Sequence, residues 1–188
     1  MIKYFILILW VVSSCGDSST SKSDPIIGTW KHGDCQAANL SLLSGYYSKS
    51  SVEFTKSTAT MYDVLYSDSA CISEIEAVVT ATGTYSRPSI TSSEINLSWS
   101  SIDLTPKSEN ASALFKGQSL CGKTDWILDS AQSVKSLTCL GWGRPFASNS
   151  QVLQIVEIET RKLWLGNSIY LASSSRPEKW SDRAFEKQ

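Results

Sequence analysis

Glu74-Ile75-Glu76-Ala77-Val78-Val79-Thr80-Ala81-Thr82-Gly83-Thr84-Tyr85 is the stretch that decides the fold. Ile75, Ala77, Val79, Ala81, Gly83 and Tyr85 share one parity, and Glu74, Glu76, Thr80, Thr82 and Thr84 share the other. Only Val78 breaks the pattern. A period of two over this length means a strand with one buried and one solvated face. The small residues Ala77, Ala81 and Gly83 leave room on the inner face, and Gly83 suits a bend where a strand coils sharply. Glu74 and Glu76 fall on the solvated parity.

Further strands lie on both sides. Ser51–Thr55 and Thr60–Tyr66 are rich in β-branched and aromatic residues, and the turn residues Ser67-Asp68-Ser69-Ala70 follow them. Ile95, Leu97 and Trp99 alternate with Glu94, Asn96 and Ser98 until the apolar parity switches at Ser100-Ser101, giving Ile102 and Leu104. A one-residue slip turns every later side chain over, so a β-bulge or a turn is predicted there. Val152, Ile155, Val156 and Ile158 mark another strand, and Gly166-Asn167 suits a tight turn between Leu163–Leu165 and Ile169–Leu171. The segments 33–50, 106–120 and 140–150 read as long loops, with Leu40, Leu42 and Leu43 suited to a short helical turn. Between Cys121 and Cys139 the sequence supports either a hairpin turning at 129–131, with Trp126 facing Val134, or a short helix capped by Asp129. Eight to ten short strands joined by local turns predict an all-β chain. The expected architecture is an antiparallel up-and-down barrel, with a two-sheet β-sandwich as the alternative.

The chain opens with Lys3 and the apolar run Tyr4 to Val12, then Ser13-Ser14-Cys15. A positive start, a short apolar core and small residues before a cleavage point form a secretory signal peptide. The run is too short to span a bilayer, which takes about 20 residues as a helix. Val12-Ser13-Ser14-Cys15 resembles the lipobox of bacterial lipoproteins, which implies cleavage before Cys15 and acyl chains on that residue. The expected organisation is a signal peptide over 1–14, a Ser-rich flexible tether over 15–25 and one β-barrel domain over 26–188. The resemblance implies a cell-envelope protein attached to a membrane through lipid on Cys15. Gly16 rather than Asp after the anchor favours the outer membrane.

The cysteine count fits this reading. Five cysteines are an odd number, and lipidation of Cys15 leaves Cys35, Cys71, Cys121 and Cys139. Four cysteines in an oxidising compartment suggest two disulfides with three connectivities, of which Cys35–Cys71 and Cys121–Cys139 each bracket a local unit. No C-x-x-C pair occurs and His32 is the single histidine, so neither a metal nor another cofactor is expected. The formal net charge of −1 supplies no basic stripe for nucleic acid.

Ile26-Ile27-Gly28-Thr29-Trp30, directly after the tether, resembles the Gly-x-Trp motif of lipocalins and lipocalin-like barrels. That resemblance implies that Trp30 closes the bottom of the barrel. Thr124-Asp125-Trp126 resembles the second lipocalin motif, and Arg176 resembles the arginine that packs on the Gly-x-Trp tryptophan.

The sequence has no P-loop, no G-x-S-x-G and no zinc signature, and a non-enzymatic role is expected. His32 beside Asp34 and Cys35 reads as an exposed loop histidine, because a cysteine held in a disulfide offers no thiolate. Two binding roles remain. Ile75, Ala77, Val79, Ala81, Tyr85 and Trp99 could line a barrel interior that takes one small apolar or amphipathic ligand. Alternatively the barrel is filled and its loops engage an envelope protein, as an inhibitor or assembly factor would. Trp142, Arg144 and Phe146 supply residue types enriched in interface hot spots.

Overall fold

The computed structural model describes residues 23–38, 45–139, 151–166 and 175–188. Cys15 and the expected signal peptide, the helical turn expected at Leu40–Leu43, the expected loop with Trp142, Arg144 and Phe146, and the strand expected at Ile169–Leu171 lie outside the described residues.

The strands are β1 (Gly28–Lys31), β2 (Gln36–Ala37), β3 (Tyr47–Phe54), β4 (Thr58–Tyr66), β5 (Ile75–Ser86) and β6 (Glu94–Pro106). After the helix α1 (Glu109–Gly117) come β7 (Gln132–Ser133), β8 (Val152–Glu159), β9 (Lys162–Leu165) and β10 (Phe185–Lys187). All ten belong to one antiparallel sheet. Its path runs β3-β4-β5-β6-β8-β9-β10-β1, and β1 pairs back onto β3, so the sheet closes into a ring. The short strands β2 and β7 attach to β3 and β6. The chain is all-β with ring closure, as the alternation predicts.

β5 and β6 carry the pattern that the sequence announced. Ala77, Val79, Ala81, Ile95, Leu97, Trp99, Ile102 and Leu104 all belong to one buried core. The parity switch is a β-bulge: Thr82 pairs with Ser101 and Gly83 with Trp99, leaving Ser100 as the extra residue. There the two backbones come so close that a Cβ on Gly83 would collide with the Ser98 carbonyl oxygen.

A second bulge was not foreseen. Leu65 pairs with Ala77 and Tyr66 with Ile75, so Glu76 is the extra residue. The parity reading placed Glu76 in solvent, yet the bulge buries it beside Ala77. Its carboxylate accepts a hydrogen bond from the Ser108 hydroxyl. Ile75, expected on the inner face, is 39% exposed at the rim.

The loop expected at 106–120 holds α1. Ser108 caps it by accepting from the Ala111 amide at 3.0 Å, with Glu109 in the first turn and Lys116 in the last. Ala111 and Phe115 bury its inner face. Neither alternative for 121–139 forms. The chain turns at Ile127–Ser130 with Asp129 in the left-handed region, and β7 then pairs with β6 rather than with Trp126. Trp126 instead packs edge-on against Phe115 at 5.4 Å, and its ring nitrogen donates to the Leu120 carbonyl.

Candidate functional site

The two ends of the barrel are built differently. At the base, Gly28 and Trp30 work as a unit. Gly28 takes a φ of +135°, a conformation that L side chains rarely adopt, where the chain turns from the crossing segment into β1. Trp30 is wholly buried, and its indole nitrogen donates to the Ile26 carbonyl at 2.7 Å. The segment before it is tied down by Asp24, which pairs with Arg87 at 2.6 Å, while Arg87 also donates to the Ser92 carbonyl at 2.6 Å. The cation over the Trp30 ring is Lys187, 4.9 Å from the ring centroid, and the same amine donates to the Pro25 carbonyl.

Arg176 does not take the place expected of it. Its guanidinium donates to the carbonyls of Ile95 and Gln154 and to the Asn96 side chain, and pairs with Glu94 at 3.1 Å. It therefore clamps β6 to β8. The final strand lies next to β1, so Lys187 reaches Trp30 where Arg176 does not.

At the opposite rim, both expected disulfides form: Cys35–Cys71 and Cys121–Cys139. The second joins the segment under α1 to the chain leaving β7, in the same core cluster as Phe115 and Trp126. The first fastens a break in the barrel wall. β1 runs along β3 as far as Lys31↔Ser51, and the His32 amide still donates to the Ser50 carbonyl. Gly33, Asp34 and Cys35 then loop outward before β2 rejoins β3 at Gln36↔Ser48. On its other side β1 pairs with β10, but β2 has no partner on that side among the described residues.

The wall is therefore split above Phe185. A cleft of about 430 Å³ occupies the split, with His32, Gln36, Ala37, Tyr47 and Asp182–Arg183 in its lining. Cys35 and Ser69 border it beside the disulfide. Two features mark it as a surface able to bind. The Gln36 amide nitrogen is shielded from solvent yet has no hydrogen-bond partner. An unpaired polar group of this kind is costly until a ligand satisfies it. Among the described residues, the Arg183 side chain is held by one exposed pair, with Asp34 at 4.0 Å.

His32 is not a free loop residue. Its ring packs on Phe185 with centroids 3.7 Å apart. Burial pushes its pKa below the usual histidine value; a hydrogen bond to the Ala184 backbone opposes this, Arg183 adds to the lowering, and Asp34 opposes it. The imidazole is thus a neutral wall of the cleft near pH 7. Asp68 organises the β4–β5 loop: a hydrogen bond from the Ser73 side chain, then those from the amides of Ser73, Ala70 and Ile72, hold its carboxyl at about 2. That loop presents Cys71 to Cys35.

The residues named as ligand-lining do not form one open wall. Ala77, Val79, Ala81 and Trp99 are packed within the core. Tyr85 lies edge-on to Phe54, and its hydroxyl donates to the Thr55 carbonyl at 2.9 Å. The cleft was missed because its parts are far apart in sequence and its key property, an unpaired strand edge, has no residue signature. The one usable signal was His32-Gly33-Asp34-Cys35, a turn-forming interruption directly after a strand.

Among the described residues no group of three or more His, Cys, Asp or Glu side chains could hold a metal ion. No described helix is long and apolar enough to cross a membrane. Set against protein-family models and against curated proteins, the chain matches none.

Proposed function

We propose that this is a lipid-anchored lipoprotein of the cell envelope whose barrel is a scaffold for binding another envelope protein. The observation that carries the reading is the polarity of the barrel. Asp24 and Pro25, where the expected tether ends, are bound to the base through Arg87 and Lys187. A chain anchored at Cys15 would hold the base toward the membrane and present the split rim outward. The part of the expected tether before Asp24, residues 15–23, could reach at most about 3.5 Å per residue, enough to lift the barrel clear of lipid headgroups. The packing of Ala77, Val79, Ala81 and Trp99 into the core favours this role over carriage of an apolar ligand.

Two measurements test it together. Cys15→Ser should move the protein from the membrane fraction to the soluble envelope fraction; retention would overturn the anchor. A pull-down from envelope extracts should recover a partner that is lost on Trp142→Ala or Arg144→Ala. Saturable uptake of a fluorescent fatty acid by the intact barrel, with no partner, would overturn the interaction role in favour of a carrier.

A further inference from the structure

We infer that the split in the barrel wall receives an extended peptide segment of the partner as an added strand on β2. The inference rests on the interaction reading and specifies how the partner is held.

The argument begins with the ladder between β2 and β3. The Ala38 amide donates to the Tyr46 carbonyl at 2.8 Å, which makes Ala38–Tyr46 a hydrogen-bonded pair. In an antiparallel ladder such pairs alternate with non-bonded ones. Gln36↔Ser48 is therefore bonded, and Ala37↔Tyr47 is not. The N–H and C=O of Ala37 consequently point away from β3, into the cleft that Ala37 lines. An open strand edge with unsatisfied backbone groups is a template for another chain. Strand addition of this kind takes its affinity from main-chain bonds and its specificity from neighbouring pockets.

Lower in the same wall, β10 fills the equivalent position beside β1, through Trp30↔Lys187 and Lys31↔Glu186. An incoming segment would continue that place in the sheet above Phe185. The space is adequate, since about 430 Å³ lies within the range of about 300–1,000 Å³ typical of ligand sites. The side chains around it suit a peptide. The unpaired Gln36 amide nitrogen would meet a carbonyl. Tyr47 and the neutral His32 ring offer flat surfaces for side chains, and Asp182 and Arg183 offer one charge of each sign at the entrance. The Cys35–Cys71 disulfide holds β2 open beside the β4–β5 loop, so the edge is fixed before a ligand arrives.

The test uses the full, disulfide-bonded chain in mild detergent and a random 12-residue peptide display library as the probe. Selected peptides should bind with protection of the Ala37 amide from hydrogen exchange, and N-methylation of alternate peptide amides should weaken them at least tenfold. Ala37→Pro removes the backbone N–H that β2 turns away from β3 and leaves the bonds through Gln36 and Ala38 intact. It should keep the wild-type circular dichroism and unfolding midpoint while losing binding at least tenfold. Gln36→Ala is the second variant, with a smaller loss expected. Several results would overturn strand addition: no selected peptide, selected peptides that bind Ala37→Pro unchanged, or an Ala37 amide already protected in the free protein. If the pull-down partner is retained by Ala37→Pro, the interaction reading stands and strand addition alone falls. If no partner is recovered and no peptide is selected, both fall.

Discussion

At the base of the barrel, β1 is flanked on both sides by hydrogen-bonded strands and covered by Trp30 and the segment that precedes it. At the rim, the continuation of that same strand has, among the described residues, a partner on one side only and is held by a disulfide. The base is secured by apolar burial and a complete ladder, and the rim by covalent bonds around an open edge. A barrel abolishes exposed edges by closing. Closure here is complete at one end, so among the described residues the cleft is the place where the sheet has an unfilled strand position.

The sharpest way to break this contrast is to remove its apolar half. Trp30 is fully buried, donates to Ile26 and carries Lys187 over its ring. Trp30→Ala is expected to cost about 3–5 kcal/mol, the range for large aromatic truncations in cores. Urea unfolding followed by tryptophan fluorescence would measure it. A loss below about 1 kcal/mol would show that the base does not carry the stability assigned to it.

The rim answers to a different change. Replacing Cys35 and Cys71 together by Ala frees a loop with a sequence separation of 36. Chain-entropy arguments put the expected loss at about 2–4 kcal/mol. Hydrogen exchange should rise first at the amides of Gln36, Ala38, Ala70 and Ser73, while Trp30 and its neighbours stay protected. Uniform loss of protection around the barrel would mean that the disulfide supports the whole sheet and not the rim alone.

What the sequence revealed follows the same division. The alternation of β5 and the parity switch at Ser100 are local, so the long strands and their bulge were legible. The base was legible through Gly28-Thr29-Trp30, because one wholly buried Trp beside a positive-φ Gly is compact in sequence. Its cation was not, since the pairing of β10 with β1 brings Lys187 to the Trp30 ring, whereas Arg176, in no strand, clamps β6 to β8. Glu76 failed for a related reason: a bulge moves a residue across the sheet without changing its sequence parity. α1 was hidden because nine residues carry too few turns for periodicity, although Ser108, Ala111 and Phe115 held a cap and an apolar face. The rim was least legible, because an unpaired edge is a property of pairing that no single residue encodes.

The smallest expected effect concerns His32, which lies at the junction of base and split. Its folded pKa is lowered chiefly by burial against Phe185, while the unfolded chain keeps a value near 6.5. Between the two values the unfolded state binds the additional proton, so stability there rises with pH. The contribution is complete above about pH 6.5, declines as the pH falls through that value, and levels off below the folded pKa. His32→Gln should flatten this part of the curve and leave stability above pH 7 nearly unchanged. Asp68 does not obscure the window, because its carboxyl titrates near 2 in the folded state and near 3.8 otherwise. Unfolding midpoints at pH 7.5, 6.5 and 5.5 for the two proteins would decide the matter. Parallel curves would mean that His32 titrates as freely in the fold as in the open chain, and its place as a neutral wall of the cleft would be lost.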